Sequence, residues 1–435
     1  MRGEIGSFSF KSYLDSEGKS YFPRQSGKSY YQTQGYQELV VLGVCERSYR
    51  ASVSRYERLI HQSSSASGYK KLSPRTVQDQ VESQGKLHRA VLVSMSEKTL
   101  IENGFDKQGK PTQVIEDEEI SLESADLITA KYAQMYGAAP AHIQEHLKLD
   151  LLAYESLEDS FNITIDDVCT KRQKATHRKK GEKSETLSPL KADKAPRAPI
   201  NGLVKRLYPK REQHYQTVIH LQRQGKTGGN YLLNGKGLPY LYPIIVAFCC
   251  FNKLLALNWI FFTDGQRTLL DSIILRFAWK MNKKIILDYY HLQKKCQRQF
   301  SMAFHNDTKR AHNLHKTLQF LWYGLSDEAI TFLQSIENQH VKNEEEKQVL
   351  IQYITRNLNA IPCYELRKQI GLRNSSNCAE KANDQLVAIR QKNNGMSWSP
   401  EGSIALASLQ AIITNKEQAL WIKEKKLTFS WSMAA

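Results

Sequence analysis

The chain lacks the sequence signatures of several large classes of protein. It has no glycine-rich loop ending in Lys-Ser or Lys-Thr, which excludes the common phosphate-binding loop of ATP-dependent enzymes. Its seven cysteines form no Cys-x-x-Cys pair, so no zinc knuckle is predicted and reduced thiols are favoured. The start has no apolar run typical of secretion. The run from Leu238 to Phe251 is too short to cross a bilayer, so a buried strand or a core helix is expected there, and the helical pattern covers residues 244–254. We therefore expect a cytoplasmic protein without a membrane segment.

Basic residues, by contrast, are abundant and unevenly placed. The 435 residues carry a formal net charge of +17. Residues 171–211 hold fourteen Lys or Arg against three acidic residues, a difference of +11, and their four prolines predict an exposed, extended loop. Such a concentration indicates a polyanionic partner, with nucleic acid first, although a solvated basic linker would have the same composition.

The N-terminal third has patterns of short helices. Residues 1–35 are rich in Ser, Tyr, Lys and Gly without a clear period, which predicts a loose arm. Residues 36–105 have helical patterns, and Ser73 is predicted to cap a helix that Gly85 ends. That helix would present Arg75 and neighbouring glutamines to solvent. The region therefore resembles a helix-turn-helix DNA-binding unit, although any small helical bundle has the same pattern.

The rest of the chain is predicted to contain a connector followed by an α/β domain. Residues 106–160 are acidic and mixed, with helical patterns around residues 127–136 and 143–154, and predict a connector. Residues 161–425 predict an α/β domain, because early antiparallel strands are followed by alternating strands and helices, which is typical of a mixed sheet flanked by helices. Within it, residues 292–367 have helical periodicity throughout and predict an all-helical insertion. Residues 426–435 form a tail.

Three carboxylates stand where an α/β sheet collects functional groups. Asp166 follows a β-branched strand, and Asp264 follows an apolar one. Glu380 lies in a polar, Asn-rich segment that is predicted to be helical. Each carboxylate taken alone also has an ordinary explanation. Asp166 and the adjacent Asp167 could be a solvated pair, and Asp264 could cap the following helix. Glu380 could lie on a charged surface helix. Together, they favour a pair of Mg²⁺ or Mn²⁺ ions for phosphodiester chemistry.

Other polar residues accompany the three carboxylates. Asp288 and His291 stand three apart at a strand end, with too few partners for a zinc site. They are predicted to brace the site or to touch DNA, with a packed histidine as the alternative. Basic and amide side chains elsewhere are candidates for contact with phosphates. These DNA-binding candidates are Arg75, Lys171, Arg172, Lys174, Lys381, Asn383, Arg390 and Lys392.

The sequence segments around these residues resemble those of one protein family. They are Ile163-Thr-Ile-Asp166, Phe261-Phe-Thr-Asp264-Gly, Ile286-Leu-Asp288-Tyr-Tyr-His291, Ile361-Pro-Cys-Tyr-Glu-Leu-Arg367 and Gly371-Leu-Arg-Asn-Ser-Ser-Asn-Cys-Ala-Glu380. In this combination the chain resembles bacterial insertion-sequence transposases of the Asp-Asp-Glu class. It is similar to the branch related to Mutator-like elements, with a helical insertion before the glutamate. The resemblance covers roughly residues 160–425.

The resemblance implies an RNase H-like core in which Asp166, Asp264 and Glu380 hold two Mg²⁺ or Mn²⁺ ions, accompanied by Asp288 and His291. It implies cleavage of double-stranded DNA at the element's terminal repeats and strand transfer into target DNA. It also implies a homo-oligomer on paired ends and a bacterial, nucleoid-associated location. The alternatives are a non-catalytic DNA-binding protein derived from a transposase, and an RNase H-like nuclease.

Overall fold

The computed structural model describes most of the chain. The described residues are 13–14, 20–21, 42–61, 73–115, 120–173, 199–200, 203–204, 212–224, 229–306, 308–392, 396–424 and 427–433. Most of the predicted arm and most of the basic stretch 171–211, including Lys174, therefore lie outside the described residues.

The main sheet has five strands. They are β1 (Ser160–Lys171), β2 (Gln213–Arg223), β3 (Gly229–Gly235), β4 (Asn258–Thr263) and β5 (Lys283–Leu287). Their order is β3-β2-β1-β4-β5, with β1 to β3 antiparallel and β1, β4 and β5 parallel. The prediction of a mixed sheet is confirmed. Two-residue strands form separate pairs, Tyr13–Leu14 with Ser20–Tyr21 and Pro199–Ile200 with Leu203–Val204.

Helices flank this sheet. Those before β5 include α1 (Tyr49–His61), α2 (Pro74–Glu102), α3 (Ala125–Ala138), α4 (Ala141–Gln144), α5 (Leu238–Phe251) and α6 (Arg267–Arg276). Those after it are α7 (Tyr289–Ala303), α8 (Thr308–Trp322), α9 (Ser326–Ser335), α10 (Glu344–Arg356), α11 (Tyr364–Gln369), α12 (Asn377–Asn383), α13 (Ile389–Gln391), α14 (Pro400–Thr414) and α15 (Gln418–Glu424). A π-helical turn, Asp384–Ala388, joins α12 to α13.

Strand β4 separates the two largest cores. All six of its residues are buried, since helices cover both of its faces. Trp259 and Phe261 point into the core that contains α5, whereas Ile260 and Phe262 point into the core of helices α7 to α10. The alternation of strand side chains thus sets one helical layer on each face.

Helix α2 is longer than its sequence pattern predicts. Ser73 caps it as predicted, because its hydroxyl accepts a hydrogen bond from the backbone N–H of Thr76 at 3.0 Å. The prediction that Gly85 ends the helix is wrong, since α2 continues to Glu102. Gly85 is buried against α14, where an added Cβ would lie 2.5 Å from the Cβ of Ala405. The glycine therefore permits close helix packing, and DNA binding by this region stays a prediction.

Two other segments also differ from expectation. The helix predicted over residues 143–154 is wrong: only α4 and a 3₁₀ turn, Leu151–Ala153, are observed. The predicted tail contains residues that pack into the core, including Phe429 and Trp431. The carboxylate of Glu417 fixes this segment by accepting backbone hydrogen bonds at 2.9 and 3.0 Å.

The apolar run predicted to be a buried element is helix α5. It begins at Leu238, earlier than its pattern predicts, and contains Pro243. Ten of its fourteen residues are buried in the core between the sheet and α2. Among the residues that the structure describes, no helix is long and apolar enough to cross a membrane.

Candidate carboxylate site

The sheet register places two of the predicted aspartates at the same level. Thr164 on β1 pairs with Phe262 on β4, so two residues further along Asp166 is level with Asp264. The prediction that Asp166 ends its strand is wrong: β1 continues five residues beyond it, because β2 stays paired with β1 there. β4 does end one residue before Asp264. Both carboxylates thus lie where the parallel pairing stops.

Asp166 and Asp167 lie on opposite faces of β1, as successive strand residues do. Asp167 is exposed and accepts a hydrogen bond from the hydroxyl of Thr217. Asp166 is half-buried, and its Oδ2 accepts a hydrogen bond of 2.5 Å from Nδ2 of Asn383 on α12. Of the two candidates for the first carboxylate, Asp166 is therefore the one beside the other predicted residues.

The electrostatics of Asp166 reflect a second carboxylate close by. Burial is the main cause that raises the pKa of Asp166 from 3.8 to about 6, and the negative charge of Asp264 adds to it. His291 and the hydrogen bond from Asn383 act in the opposite direction. A half-buried carboxyl group with a second carboxylate close by attracts a cation.

Glu380 reaches the same place from α12. Its Oε1 lies 3.8 Å from Nε2 of His291 on α7. His291 in turn acts on the pKa of Asp166, so it lies near that carboxyl as well. The side chains of Glu380 and His291 are 47% and 30% exposed, which leaves them open to a ligand. The fold thus gathers Asp166, Asp264, His291 and Glu380 from four separate elements.

Asp288 braces this cluster without facing it. It is only 1% exposed, and its Oδ1 accepts a hydrogen bond of 3.1 Å from the backbone N–H of His291, which caps α7. Its Oδ2 accepts hydrogen bonds from the backbone N–H and the hydroxyl of Ser376, just before α12. One buried carboxylate therefore fixes both the helix start that carries His291 and the segment that leads to Glu380.

Tyr353 of α10 supports Asp264, and sequence reasoning missed it. Its hydroxyl donates to the backbone carbonyl of Asp264 at 3.3 Å, across 89 positions of sequence. Gly265 has a φ of +78°, and an added Cβ there would lie 2.7 Å from the same hydroxyl. The glycine is thus needed for a tight turn against α10. No local signal could have linked Tyr353 to this turn.

The predicted DNA-contacting residues fall into two groups. Five are exposed, as contact with phosphate requires: Arg75, Lys171, Arg172, Lys381 and Lys392. Two are buried, namely Asn383 and Arg390. Asn383 donates to Asp166 instead of facing DNA.

Arg390 is the clearest correction. It is 6% exposed, and its Nε donates to the backbone carbonyl of Val44 at 2.9 Å. Its guanidinium carbon lies 5.7 and 5.4 Å from the ring centroids of Tyr49 and Trp398, within range of cation–π attraction. Arg390 therefore holds the N-terminal helices to the C-terminal part of the fold. The prediction that it contacts DNA is wrong, because its donors face the interior.

The donor chemistry of the cluster suits a hard divalent cation. Asp166, Asp264 and Glu380 offer carboxylate oxygens, which Mg²⁺ and Mn²⁺ prefer. Oδ1 of Asn383, beside Asp166, is buried and has no hydrogen-bond partner among the residues that the structure describes. In the observed side-chain positions, no three His, Cys, Asp or Glu residues of the described part of the chain are close enough to hold one metal ion. The carboxylate oxygens therefore lie in the same region of the fold, but in the observed side-chain positions they are too far apart to coordinate one ion.

The Asp166→Asn variant is expected to stabilise the metal-free protein at neutral pH. The pKa of Asp166 is raised from 3.8 to about 6 in the folded state, so ionisation of this group lowers the free energy of unfolding. The loss begins above pH 3.8 and is complete above about pH 6. At about 1.4 kcal/mol per pKa unit, the gain is at most about 3 kcal/mol.

Urea unfolding of both proteins at several pH values measures this gain. The difference should shrink as the pH falls from 6 to 4. Added Mg²⁺ should stabilise the wild type more than the variant, because it screens the charge that the variant lacks. A difference that does not vary with pH would show that the carboxyl is not perturbed.

The chain matches no protein-family model, and a search of curated proteins finds no match either.

Proposed function

We propose that this protein is a DNA transposase of the Asp-Asp-Glu class with an RNase H-like core. It would cleave the ends of its own element and join them to target DNA. The observation that carries the proposal is the gathering of Asp166, Asp264 and Glu380, with His291, at the edge where the parallel strands end. Carboxylates so placed suit metal-assisted phosphodiester chemistry. The mixed five-stranded sheet with helices on both faces supports the RNase H-like core.

Each side chain has a role that follows from its contacts. Asp166, Asp264 and Glu380 would hold two Mg²⁺ or Mn²⁺ ions, which, when bound, neutralise phosphate charge and acidify the attacking water or 3′-hydroxyl. Asn383 fixes one oxygen of Asp166 by donating to it. His291 places its Nε2 at 3.8 Å from Oε1 of Glu380, where it would help to position that carboxylate.

Cleavage of a DNA duplex that carries the element's own end tests this function. The wild-type protein is expected to nick that duplex in Mg²⁺ or Mn²⁺ and to lose the activity in a chelator. A duplex with the end sequence scrambled should be cut far more slowly. Equal cleavage of both duplexes would instead indicate a general RNase H-like nuclease.

Replacing the Lys and Arg residues of 171–211 with Gln is expected to flatten the salt dependence of DNA affinity. Each phosphate that the protein neutralises contributes roughly −0.9 to the slope of log affinity against log salt concentration. Fluorescence anisotropy of a labelled duplex over a salt series measures this slope. An unchanged slope would show that the basic stretch does not contact the backbone.

One observation favours the alternative, a DNA-binding protein derived from a transposase and without catalytic activity. In the described part of the chain the acidic groups do not close around a metal ion. Tight binding of the element's end without cleavage, in any divalent metal, would support that alternative.

A further inference from the structure

The helix that carries Glu380 continues well beyond the carboxylate site. It comprises α12, the π-helical turn Asp384–Ala388 and α13. Asp384 and Ile389, where the helix type changes, both keep right-handed helical backbone angles, with φ and ψ of −63° and −49° and of −54° and −41°. Residues 377–391, the Glu380 helix, therefore form one continuous element, roughly 20 Å long at 1.5 Å per residue.

The π-helical turn sets the angle between the two halves of the Glu380 helix. Relative to an α-helix it inserts one residue, which rotates everything beyond it by about 100°. Asn383, before the turn, contacts Asp166 on the sheet, whereas Arg390, after it, contacts Val44 in the short helical segment that precedes α1. Because the helix is continuous, a rotation at the Arg390 end changes the position of Glu380 at the other.

Polar contacts anchor the far end of this helix. Gln391 is fully buried, and its side chain exchanges hydrogen bonds with Ser403: Nε2 donates to the backbone carbonyl at 3.0 Å, and Oε1 accepts from the hydroxyl at 2.6 Å. The backbone carbonyl of Gln391 accepts a hydrogen bond of 2.9 Å from Nε1 of Trp398. The ring centroids of Trp398 and Tyr49 lie 6.0 Å apart, and the guanidinium of Arg390 lies near both rings.

Arg390 is an unfavourable anchor if packing alone is required. Burial lowers the pKa of Arg390, since the interior disfavours its charge. An apolar side chain of similar size would pack here without that cost. The guanidinium adds direction, because its hydrogen bond to Val44 requires one orientation, whereas apolar contacts are non-directional. The contact therefore fixes the rotation of the Glu380 helix about its own axis.

We propose that Arg390 is a positioning residue for Glu380. By binding the N-terminal helical segment, it fixes the rotation of the Glu380 helix and so sets where the Glu380 carboxylate lies relative to Asp166 and Asp264. The inference rests on the proposed function for the metal ions that these carboxylates hold. It also connects the N-terminal helices, which are predicted to bind DNA, to the carboxylate site. Movement of those helices would then change the affinity of the site for metal.

Mn²⁺ binding in the absence of DNA tests this role, and the electron paramagnetic resonance signal of free Mn²⁺ gives the affinity. Arg390→Met is expected to weaken Mn²⁺ binding roughly 10–100-fold, the usual effect of losing a residue that orients a metal ligand. In a Glu380→Gln background the same change should have little further effect, because Arg390 acts through Glu380. Arg390→Lys gives the same comparison from a variant that keeps the buried charge and loses the planar fork.

Arg89→Met is the matched control. Arg89 also joins an N-terminal helix, α2, to the C-terminal part of the fold, since its Nη2 lies 3.0 Å from Oε2 of Glu401 on α14. Its side chain is 13% exposed, and its partner lies outside the Glu380 helix. This control should bind Mn²⁺ like the wild type.

The outcomes separate the positioning role from the proposed function. Unchanged Mn²⁺ affinity in Arg390→Met, or an equal loss with and without Glu380, would overturn the positioning role alone. A wild-type protein that binds no Mn²⁺ would overturn both. Mn²⁺ binding that depends on Arg390 through Glu380, without cleavage of the end duplex, would support the positioning role and overturn the enzyme function alone.

Discussion

Replacing Glu380 with Gln is expected to reduce metal-dependent DNA cleavage by about a thousandfold or more, the scale on which electrostatic catalytic groups act. The substitution removes a negative charge and keeps the size of the side chain. Glu380 is 47% exposed and contacts His291, so the fold does not depend on its charge. DNA affinity without metal should therefore stay the same.

Single-turnover nicking of the end duplex, with either Mg²⁺ or Mn²⁺, measures this loss. Glu345→Gln is the matched control, because Glu345 is an exposed carboxylate on α10 outside the cluster. The control should cleave like the wild type. Full activity in Glu380→Gln would remove Glu380 from the site and leave only the two aspartates as candidates.

Arg367→Met is expected to destabilise the fold by about 3–5 kcal/mol, the usual cost of removing one partner of a buried ion pair. Arg367 is 2% exposed, and its Nη2 lies 2.7 Å from Oε1 of Glu155, which is fully buried. Nζ of Lys284 lies 3.2 Å from the other oxygen. Burial alone would raise the pKa of Glu155, but Arg367 and Lys284 together hold it below its ordinary value. Without Arg367, a buried charge loses its nearest cation.

The double variant Glu155→Leu with Arg367→Met separates charge from packing. It should recover most of the lost stability, because apolar pairs often replace buried ion pairs without cost. Urea unfolding near neutral pH gives the free energies. Because the folded pKa of Glu155 is lowered, its contribution is present at neutral pH and is lost as the pH falls through that value. A single variant as stable as the wild type would contradict the buried pair.

Arg367 also connects stability to the candidate site. Its Nη2 donates to the backbone carbonyl of Arg373 at 3.2 Å, in the segment before α12. The backbone carbonyl of the next residue, Asn374, accepts a hydrogen bond of 3.2 Å from the backbone N–H of Tyr289. The segment that brings Glu380 towards His291 is thus held by buried contacts that involve none of Asp166, Asp264 and Glu380.

Local sequence patterns determined the strands, the mixed sheet and several helix starts. Runs of apolar and β-branched residues mark β2 and β4, and the cap at Ser73 needs only its neighbours in sequence. Asp264 and Glu380 could be singled out because a carboxylate next to a buried strand, or in a polar helix start, is visible in the sequence. These features depend on residues a few positions apart, so one chain suffices to predict them.

Tertiary structure decided what each of those residues touches. The sequence pattern predicts that Gly85 ends a helix, whereas in the structure Gly85 packs against Ala405. Likewise, Arg390 is predicted to contact phosphate, whereas in the structure it is a buried cation. Strand register chose Asp166 over Asp167, because only one of two successive residues faces the cluster. Contacts between residues distant in sequence are set by how elements pack, and their partners leave no mark in the local pattern.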